Sequence, residues 1–181
     1  MEFRPGRSDA SPGRELLAAL NALLDAQYPG RAARPGSVTT PEEMAPPRGR
    51  FLVGYAGGRA VAIGGVRPLG PEGTDVAEIK RMYVVPEARS QGVGRALLAA
   101  LEDAARELGY ARVRLDAGAE QRHSRRLFAD AGYRPIPPYN TNHIAVFFGE
   151  KDLAAPSPSL GPADDVRGPH ARQCWQVPPS V

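Results

Sequence analysis

The sequence predicts an α/β protein built around a mixed β-sheet. Helix-like and strand-like segments alternate along its 181 residues, in the order helix, hairpin, strand, helix, strand, helix, strand. The hairpin makes part of the sheet antiparallel, and a strand followed by a helix and another strand adds at least one right-handed parallel crossover. The length suits one sizeable core, so we expect one folded domain.

The first element is a helix that begins near Pro12, because proline suits the first turn of a helix. Its leucines recur at helical spacing as far as about Gln27. Residues 28–50 are rich in proline, glycine and arginine and indicate a long loop, in which Thr40 and Glu43 could form a capping box. A loop of this length is a candidate substrate-facing segment, and the alternative, which the sequence favours slightly, is a plain surface loop.

The middle of the chain predicts strands joined by tight turns. The hairpin comprises residues 51–55 and 60–67, joined by two glycines. A third strand covers residues 76–85 and ends at a proline, and a helix with one apolar face follows and stops at Gly109. The later elements are a strand over residues 111–116, a helix over about 121–131 and a strand over 144–153.

The last part of the chain differs in composition. Residues 154–181 contain six prolines and almost no aliphatic residues, which predicts a disordered tail after a folded domain of residues 1–153. The single cysteine, Cys174, lies in this tail and excludes an internal disulfide. The scattered His123 and His143 show no metal-ligand spacing, so no metal is expected.

Charge and hydropathy limit the partners. The net charge of +3 suits an anionic ligand but is too mild for a nucleic-acid binder. Four arginines of the long loop lack the interleaved aromatic residues that stack on bases, so nucleic acid is not an expected partner. They are Arg31, Arg34, Arg48 and Arg50. No targeting signal or bilayer-spanning apolar run is evident, which makes a cytoplasmic protein without a membrane partner the expectation.

A glycine-containing turn at the start of the second long helix carries the clearest chemical signal. In "RSQGVGRALL", Gly92 and Gly94 expose bare backbone where a helix has unpaired N–H groups. Such a terminus binds phosphate, and Arg89 and Arg95 flank it. The segment fails the patterns of a P-loop and of a dinucleotide-binding fingerprint. The open alternative is a tight turn that only packs the helix onto the sheet.

The full motif is more specific than its glycines. "RSQGVG" matches R/Q-x-x-G-x-G/A, the pyrophosphate-binding signature of the GNAT acetyltransferase superfamily. The segments "AEIKRMYVVP", "SRRLFADAGYRPIPPY" and "VFFGEKDL" resemble the neighbouring segments of that family in the expected order. The resemblance covers residues 51–153. It implies a mixed, mostly antiparallel sheet of six to seven strands with splayed central strands, flanked by about four helices.

The resemblance also implies a reaction and partners. Members of the family transfer the acetyl group of acetyl-CoA, a co-substrate, to a primary amine, so this chain is expected to act on an amine of a small molecule or peptide by direct attack in a ternary complex. Homodimers are common in the family and possible here. The alternative function is a GNAT-like module that binds an acyl-CoA without catalysis.

The residues expected to bind the co-substrate follow from the family's motif. The strand edge at Met82 and Val84 would pair with the pantetheine arm, and the Met82 N–H would also act as an oxyanion donor. Gln121 occupies a position where many members carry a cofactor-contacting asparagine. The pyrophosphate-binding turn comprises Arg89, Ser90, Gln91, Gly92, Val93, Gly94 and Arg95.

Glu78 is the expected general base, because an ammonium of pKa roughly 10.4 must lose a proton before it attacks. It lies fourteen residues before the first glycine of the turn, a spacing at which histone-type members carry a glutamate base. In a regular strand it shares one face with Lys80, Met82 and Val84. The alternative is a glutamate held in an ion pair with Lys80 or Arg81.

The proton donor to the leaving thiolate is less evident. Phe128 stands where family members often carry a tyrosine, and phenylalanine has no proton to give. The substitutes are Tyr139, Ser124 and Tyr133, of which Tyr139 ranks first because its loop could reach the site. A thiolate of pKa roughly 8.5 can also leave unaided near neutral pH.

Overall fold

A computed structural model describes residues 1–31, 39–71 and 74–153 of the chain. These residues form one seven-stranded sheet, three α-helices and a 3-10 turn. The expected "about four" helices is therefore one too many for the described residues. The predicted tail and Arg34 lie outside them.

The helices and strands follow the predicted order, with two additional short strands. The strands are β1 Glu2–Gly6, β2 Arg50–Ala56, β3 Arg59–Pro68, β4 Val76–Val84, β5 Arg112–Gly118, β6 Arg134–Pro135 and β7 Ala145–Asp152. The helices are α1 Gly13–Gln27, α2 Val93–Glu107 and α3 Arg122–Asp130, and the 3-10 turn is Pro86–Ala88. The sheet order is β1-β2-β3-β4-β5-β7-β6. All neighbouring pairs are antiparallel except β4 and β5.

The first strand was not predicted from the sequence. Its charged, proline-containing sequence lacks a strand-like apolar pattern, but it pairs with β2 along the edge of the sheet. Proline and charge are the features by which edge strands avoid pairing with other chains. β1 therefore completes the edge of the sheet, and it adds only Phe3 to the packing around the core.

Two apolar clusters pack on opposite faces of the sheet. α1 contributes Leu20 and Leu24 to one cluster, together with Phe51 and Tyr83. α2 supplies several side chains of the larger cluster on the other face, among them the fully buried Leu97. In the described part of the chain, no helix combines the length and the apolar character needed to cross a bilayer.

The two parallel strands separate in the middle of the sheet. β4 and β5 pair over three residues only, from Val76 opposite Arg112 to Glu78 opposite Arg114. Both strands continue, β4 to Val84 and β5 to Gly118, but they no longer pair with each other. The sheet therefore opens into a gap at the carboxyl ends of these strands, which is where α/β sheets bind ligands.

A β-bulge interrupts β4 at the edge of this gap. Lys80 lies opposite Gly65, but Tyr83 lies opposite Ile63, so two residues of β4 face one residue of β3. One of these two residues, Arg81, has a φ of 59°, a left-handed conformation that is uncommon outside glycine.

The bulge corrects one expectation from the sequence. Glu78, Lys80, Met82 and Val84 do not share a face. Met82 and Val84 pack against the larger apolar cluster, on the α2 face of the sheet. Ile79 belongs to the same cluster, and before the bulge it lies on the face opposite to Glu78 and Lys80. The extra residue shifts the alternation by one position, so the side chains that follow it exchange faces.

Candidate functional site

The glycine turn has the backbone conformation that its sequence requires. Gly92 is the N-cap of α2 with a φ of 78°, and Ser90 is also left-handed with a φ of 61°. The N–H groups of residues 91–95 donate to no protein acceptor within the described residues. Five N–H groups at the positive end of a helix dipole therefore remain available to an anion.

Space beside this turn is open. A Cβ built on Gly92 meets no atom within 4 Å, and one built on Gly94 meets only Leu127 Cδ2 at 3.6 Å. Glycine is therefore not demanded here by close packing of the protein against itself. Gly92 is needed for its positive φ, and Gly94 leaves the backbone bare on the side of a cavity.

We call that space the turn cavity, which has a volume of about 550 Å³. Eight of the ten residues predicted to bind the co-substrate line it: Met82, Val84, Arg89, Ser90, Gly92, Gly94, Arg95 and Gln121. The other two do not. The Val93 side chain is buried in the core, and Gln91 Nε2 donates to the Glu87 carbonyl at 2.9 Å.

Two of the lining side chains also support the turn. Arg89 Nε donates to the Val84 carbonyl at 2.9 Å, and its guanidinium carbon lies 5.7 Å from the centroid of the Tyr83 ring. Gln121 Oε1 accepts a hydrogen bond from the Gly118 N–H at 2.7 Å. Both contacts fix the positions of polar side chains at the wall of the turn cavity.

A second cavity of about 430 Å³ lies in the gap between β4, β5 and α1, and we call it the strand cavity. The two cavities share four lining residues, namely Leu20, Met82, Gln121 and Ser124. They therefore meet beside Met82. The Val85 N–H donates to the Val61 carbonyl at 2.9 Å, so it points towards β3. Backbone N–H and carbonyl groups alternate in direction along a strand, and those of Met82 and Val84 therefore point away from β3 and into the gap.

Glu78 lies at the closed end of the gap, and its side chain is 0% exposed. One carboxylate oxygen forms an ion pair with Arg67 at 2.6 Å and the other with Lys80 at 3.1 Å. The latter oxygen also accepts hydrogen bonds from the Tyr139 hydroxyl at 2.9 Å and from Asn140 Nδ2 at 3.0 Å. The alternative considered from the sequence, an ion pair with Lys80, is therefore present, whereas Arg67 was not foreseen.

Asp116 extends this network into the strand cavity. Its Oδ2 accepts hydrogen bonds from Lys80 Nζ and from Asn140 Nδ2, each at 2.7 Å. Its Oδ1 accepts one from Asn142 Nδ2 at 2.9 Å. Lys80, Asp116 and Asn142 line the strand cavity, and Glu78 does not. Glu78 is thus connected to the cavity through side chains rather than facing it directly.

The sequence offered partial signals for the members of this network that were missed. Asn140 and Asn142 lie in the polar run "YNTNH" just before an apolar strand, a position where loop residues return to the sheet edge. Asp116 ends a strand-like segment. Arg67 pairs across the strands with Glu78, a relation that depends on the strand register.

The aromatic residues near the gap have different roles. The Tyr139 hydroxyl donates to Glu78, and the side chain lines neither cavity. Burial, and then the charge of Glu78, raises the pKa of Tyr139. Phe128 lines the strand cavity without a hydroxyl, and Tyr133 is buried behind it, with a ring-centroid distance of 5.9 Å. Ser124 supplies a hydroxyl where the two cavities meet.

The geometry brings together most of the residues singled out from the sequence. The glycine turn, Met82, Val84 and Gln121 surround one continuous cleft, and Glu78 reaches it through Lys80 and Asp116. Tyr139 is not brought to the cleft. The described residues contain no group of three or more side chains that could hold a metal ion.

Comparisons with known proteins agree with this architecture. The sequence profile described as "Acetyltransferase (GNAT) family" matches residues 17–133. A protein of Azospirillum brasilense named "IAA acetyltransferase" is 33% identical over 144 residues, which cover 77% of this chain and 89% of the relative.

Solved structures show the same fold. A Klebsiella pneumoniae protein named as an acyl-CoA N-acyltransferase matches with a TM-score of 0.65 and 28% identity, over 84% of this chain and 97% of that chain. An aminoglycoside 6'-N-acetyltransferase complexed with coenzyme A matches with a TM-score of 0.62 and 16% identity, over 87% and 99%. Because the profile match spans more than half of the sequence and agrees with the sheet that these structures share, this chain belongs to the acetyltransferase (GNAT) family.

Proposed function

We propose that this chain transfers the acetyl group of acetyl-CoA to a primary amine of a small molecule or peptide, by direct attack in a ternary complex. One observation carries the proposal: a turn with five available N–H groups opens into a cavity that meets a second cavity beside Met82. A co-substrate with an anionic pyrophosphate and an acceptor can thus approach the same point from two sides. The coenzyme A bound to the aminoglycoside acetyltransferase with this fold supports the choice of co-substrate.

The glycine turn provides the binding site for the pyrophosphate. The N–H groups of residues 91–95 donate hydrogen bonds, and the dipole of the fifteen-residue helix α2 adds a favourable field. Arg95 adds positive charge at the rim of the turn cavity. Arg89 contributes charge there as well, while its Nε holds the Val84 carbonyl.

The edge of β4 positions the thioester. The backbone of Val84 offers hydrogen bonds to the amide groups of the pantetheine arm, as one more strand would. The Met82 N–H donates to the thioester oxygen as it gains negative charge during attack. This arrangement requires an unpaired strand edge, which the separation of β4 from β5 provides.

The reaction requires a group that accepts protons from the attacking amine, and the carboxylates of the network behind the cavity can provide it. As the nitrogen forms its bond to the acetyl carbon and the C–S bond breaks, the ammonium loses two protons, one to the leaving thiolate and one to the solvent. Asp116 borders the strand cavity and shares Lys80 with Glu78, which lies behind it. We assign Glu78 as the base that acts indirectly, through Lys80, Asp116 and bridging water.

The departing thiolate needs little assistance. Its pKa of roughly 8.5 makes the anion an acceptable leaving group near neutral pH. Ser124 is positioned to donate a hydrogen bond at the junction of the cavities. Tyr139 was the first choice for proton donor, and we now assign it to hold Glu78 in place, because its hydroxyl donates there.

The test combines binding with turnover. Isothermal titration of acetyl-CoA into the wild type is expected to give saturable binding that is lost in Gly92→Val/Gly94→Val. Gly109→Val is the matched control, since Gly109 has a φ of 87° at the opposite end of α2. A thiol-release assay over a panel of primary amines then detects transfer. Absence of acetyl-CoA binding by the folded wild type would refute the proposal.

A second candidate function is supported by one residue. Phe128 lies at the wall of the strand cavity, where the family resemblance leads one to expect a tyrosine hydroxyl. A chain that binds an acyl-CoA without turning it over would retain the turn cavity and have no need of that hydroxyl. Acetyl-CoA binding without thiol release for any amine would favour this non-catalytic module.

A further inference from the structure

Arg81 lies in the β-bulge and borders the strand cavity beside Met82. Its left-handed φ of 59° is unusual for a residue with a long side chain. Strained conformations of this kind persist where the surrounding structure enforces them, and they cluster at functional sites. Arg81 thus borders the strand cavity, directly before the residue that we assign as oxyanion donor.

Arg81 has no carboxylate partner in the described part of the chain. Its Nη1 donates one long hydrogen bond of 3.4 Å to Asn21 Oδ1, and no Asp or Glu oxygen described by the structure lies within 4.0 Å of its nitrogens. Burial, followed by the charges of Arg31 and Arg67, lowers the pKa of Arg81. A partly buried cation without a counter-ion is costly, so this site favours the arrival of an anion.

The described residues that line the strand cavity carry three cationic and two anionic side chains. Lys80 forms an ion pair with Asp116 at 2.7 Å, and Arg31 forms one with Asp25 at 2.8 Å. These four side chains and Arg81 are the charged residues that line the cavity within the described part of the chain. The buried Glu78 behind the lining is shared between Lys80 and Arg67. Among the described lining residues, Arg81 is therefore the cation that has no carboxylate within 4.0 Å.

A neutral donor accompanies this charge. The Thr39 hydroxyl borders the same cavity, is buried, and has no hydrogen-bond partner among the described residues. A carboxylate accepts hydrogen bonds from a guanidinium and from a hydroxyl, so both groups would be satisfied by one ligand.

We propose that the acceptor amine carries a carboxylate that pairs with Arg81, so that the substrate class is a small amino acid rather than a polyamine. This inference rests on the proposed acetyl transfer. A monoanion fits better than a phosphate dianion, because Asp25 and Asp116 also line the cavity and repel a second negative charge. A polyamine would bring further positive charge beside Arg81, which has no carboxylate partner among the described residues.

The chemistry leaves the carboxylate unchanged. The amino nitrogen forms the new bond to the acetyl carbon, the thioester C–S bond breaks, and Arg81 holds the other end of the acceptor. The cavity of about 430 Å³ is within the size range of small-molecule sites.

The first test compares acids with their amides. The thiol-release assay is run with the twenty standard amino acids, 3-aminopropanoate and 4-aminobutanoate, each beside its carboxamide. At least one acid is expected to exceed its amide by about 100-fold in kcat/KM, the scale of a lost charge pair. Arg81→Gln is expected to reduce this preference below about tenfold, Arg81→Lys to retain part of it, and the exposed hairpin variant Arg59→Gln to leave it intact.

The second test does not depend on turnover. The arginine Nε–Hε resonances are recorded by NMR in the presence of coenzyme A, and the Arg81 signal is identified by its absence in Arg81→Gln. The pooled acids are expected to shift this signal, and the pooled amides are not.

The outcomes separate the two proposals. Transfer to neutral amines with equal efficiency and no shift of the Arg81 signal overturns the carboxylate proposal and leaves acetyl transfer standing. A shift with the acids but no transfer to any amine supports the carboxylate site and overturns acetyl transfer. Neither shift nor transfer overturns both.

Discussion

Replacing Gly94 by alanine separates the stability of the fold from the binding of its anion. Gly94 is the second residue of α2, and a Cβ there meets only Leu127 Cδ2, at the ordinary contact distance of 3.6 Å. The fold therefore accepts the methyl group. Alanine is favoured over glycine in helices by up to about 1 kcal/mol, so we expect Gly94→Ala to be as stable as the wild type or more stable by up to that amount.

Binding should change in the opposite direction. The added methyl group projects towards the turn cavity, beside the N–H groups of residues 91–95. If it displaces the pyrophosphate from one charge-assisted hydrogen bond, the loss is about 1.5–3 kcal/mol. That loss corresponds to an increase of about 10- to 100-fold in the Kd for acetyl-CoA.

The assay is urea unfolding followed by isothermal titration on the same preparations. Gly109→Ala is the control of opposite sign. It places a Cβ at a φ of 87°, which should cost about 1–2 kcal/mol of stability and leave the Kd unchanged. Wild-type affinity in Gly94→Ala would refute the assignment of the turn as the pyrophosphate site. A stability loss as large as that of Gly109→Ala would refute the helical placement of Gly94.

Three further predictions concern the gap and its surroundings. Glu78→Gln should lower kcat/KM for the best amine by about 100-fold at neutral pH, and the deficit should narrow as alkaline buffer deprotonates the amine; a deficit that is constant with pH would contradict the role of base. Tyr139 has a pKa raised by burial, so its stabilising effect is complete below the pKa of an unfolded tyrosine, about 10, and is lost above it by about 1.4 kcal/mol per pH unit. Urea unfolding of Tyr139→Phe should lack this part of the alkaline decline, and an unchanged slope would argue against the buried, protonated hydroxyl. In Gly118→Ala the new Cβ overlaps the Tyr28 hydroxyl, which accepts the Glu120 N–H at 2.9 Å; the melting temperature should fall and recover in Gly118→Ala/Tyr28→Ala, whereas additive losses would show that the two groups do not touch.

The elements that local sequence patterns specify were predicted well. The hairpin, β4, α2 and α3 each have apolar periodicity and a turn or cap at their ends, and the structure differs from the predicted bounds by a few residues at most. The capping box is formed as well, since the Thr40 N–H donates to Glu43 Oε2 at 2.8 Å. These features depend on neighbouring residues, which is why the sequence alone reveals them.

The features that were missed depend on contacts between distant segments. The bulge at Arg81 depends on how β4 pairs with β3. A left-handed φ at a residue other than glycine cannot be recognised from the sequence. The ion pair of Glu78 with Arg67 and the approach of Asn140 likewise follow from strand register and loop path. For the same reason, the glycine turn could be recognised from a short motif, but the route by which Glu78 reaches the cleft could not.

The separation of β4 from β5 divides the chain in sequence as well as in space. Within the described residues, every strand before α2 lies on the β4 side of the opening and every strand after it lies on the β5 side. The chain therefore passes only once from one part of the sheet to the other. Three ladder pairs join the two parts of the sheet there. A molecule that lies in the opening acts as a non-covalent crosslink between the first and second halves of the polypeptide. Hydrogen exchange should register this as slower exchange at Met82 and Val84, whose N–H groups strand alternation directs into the opening.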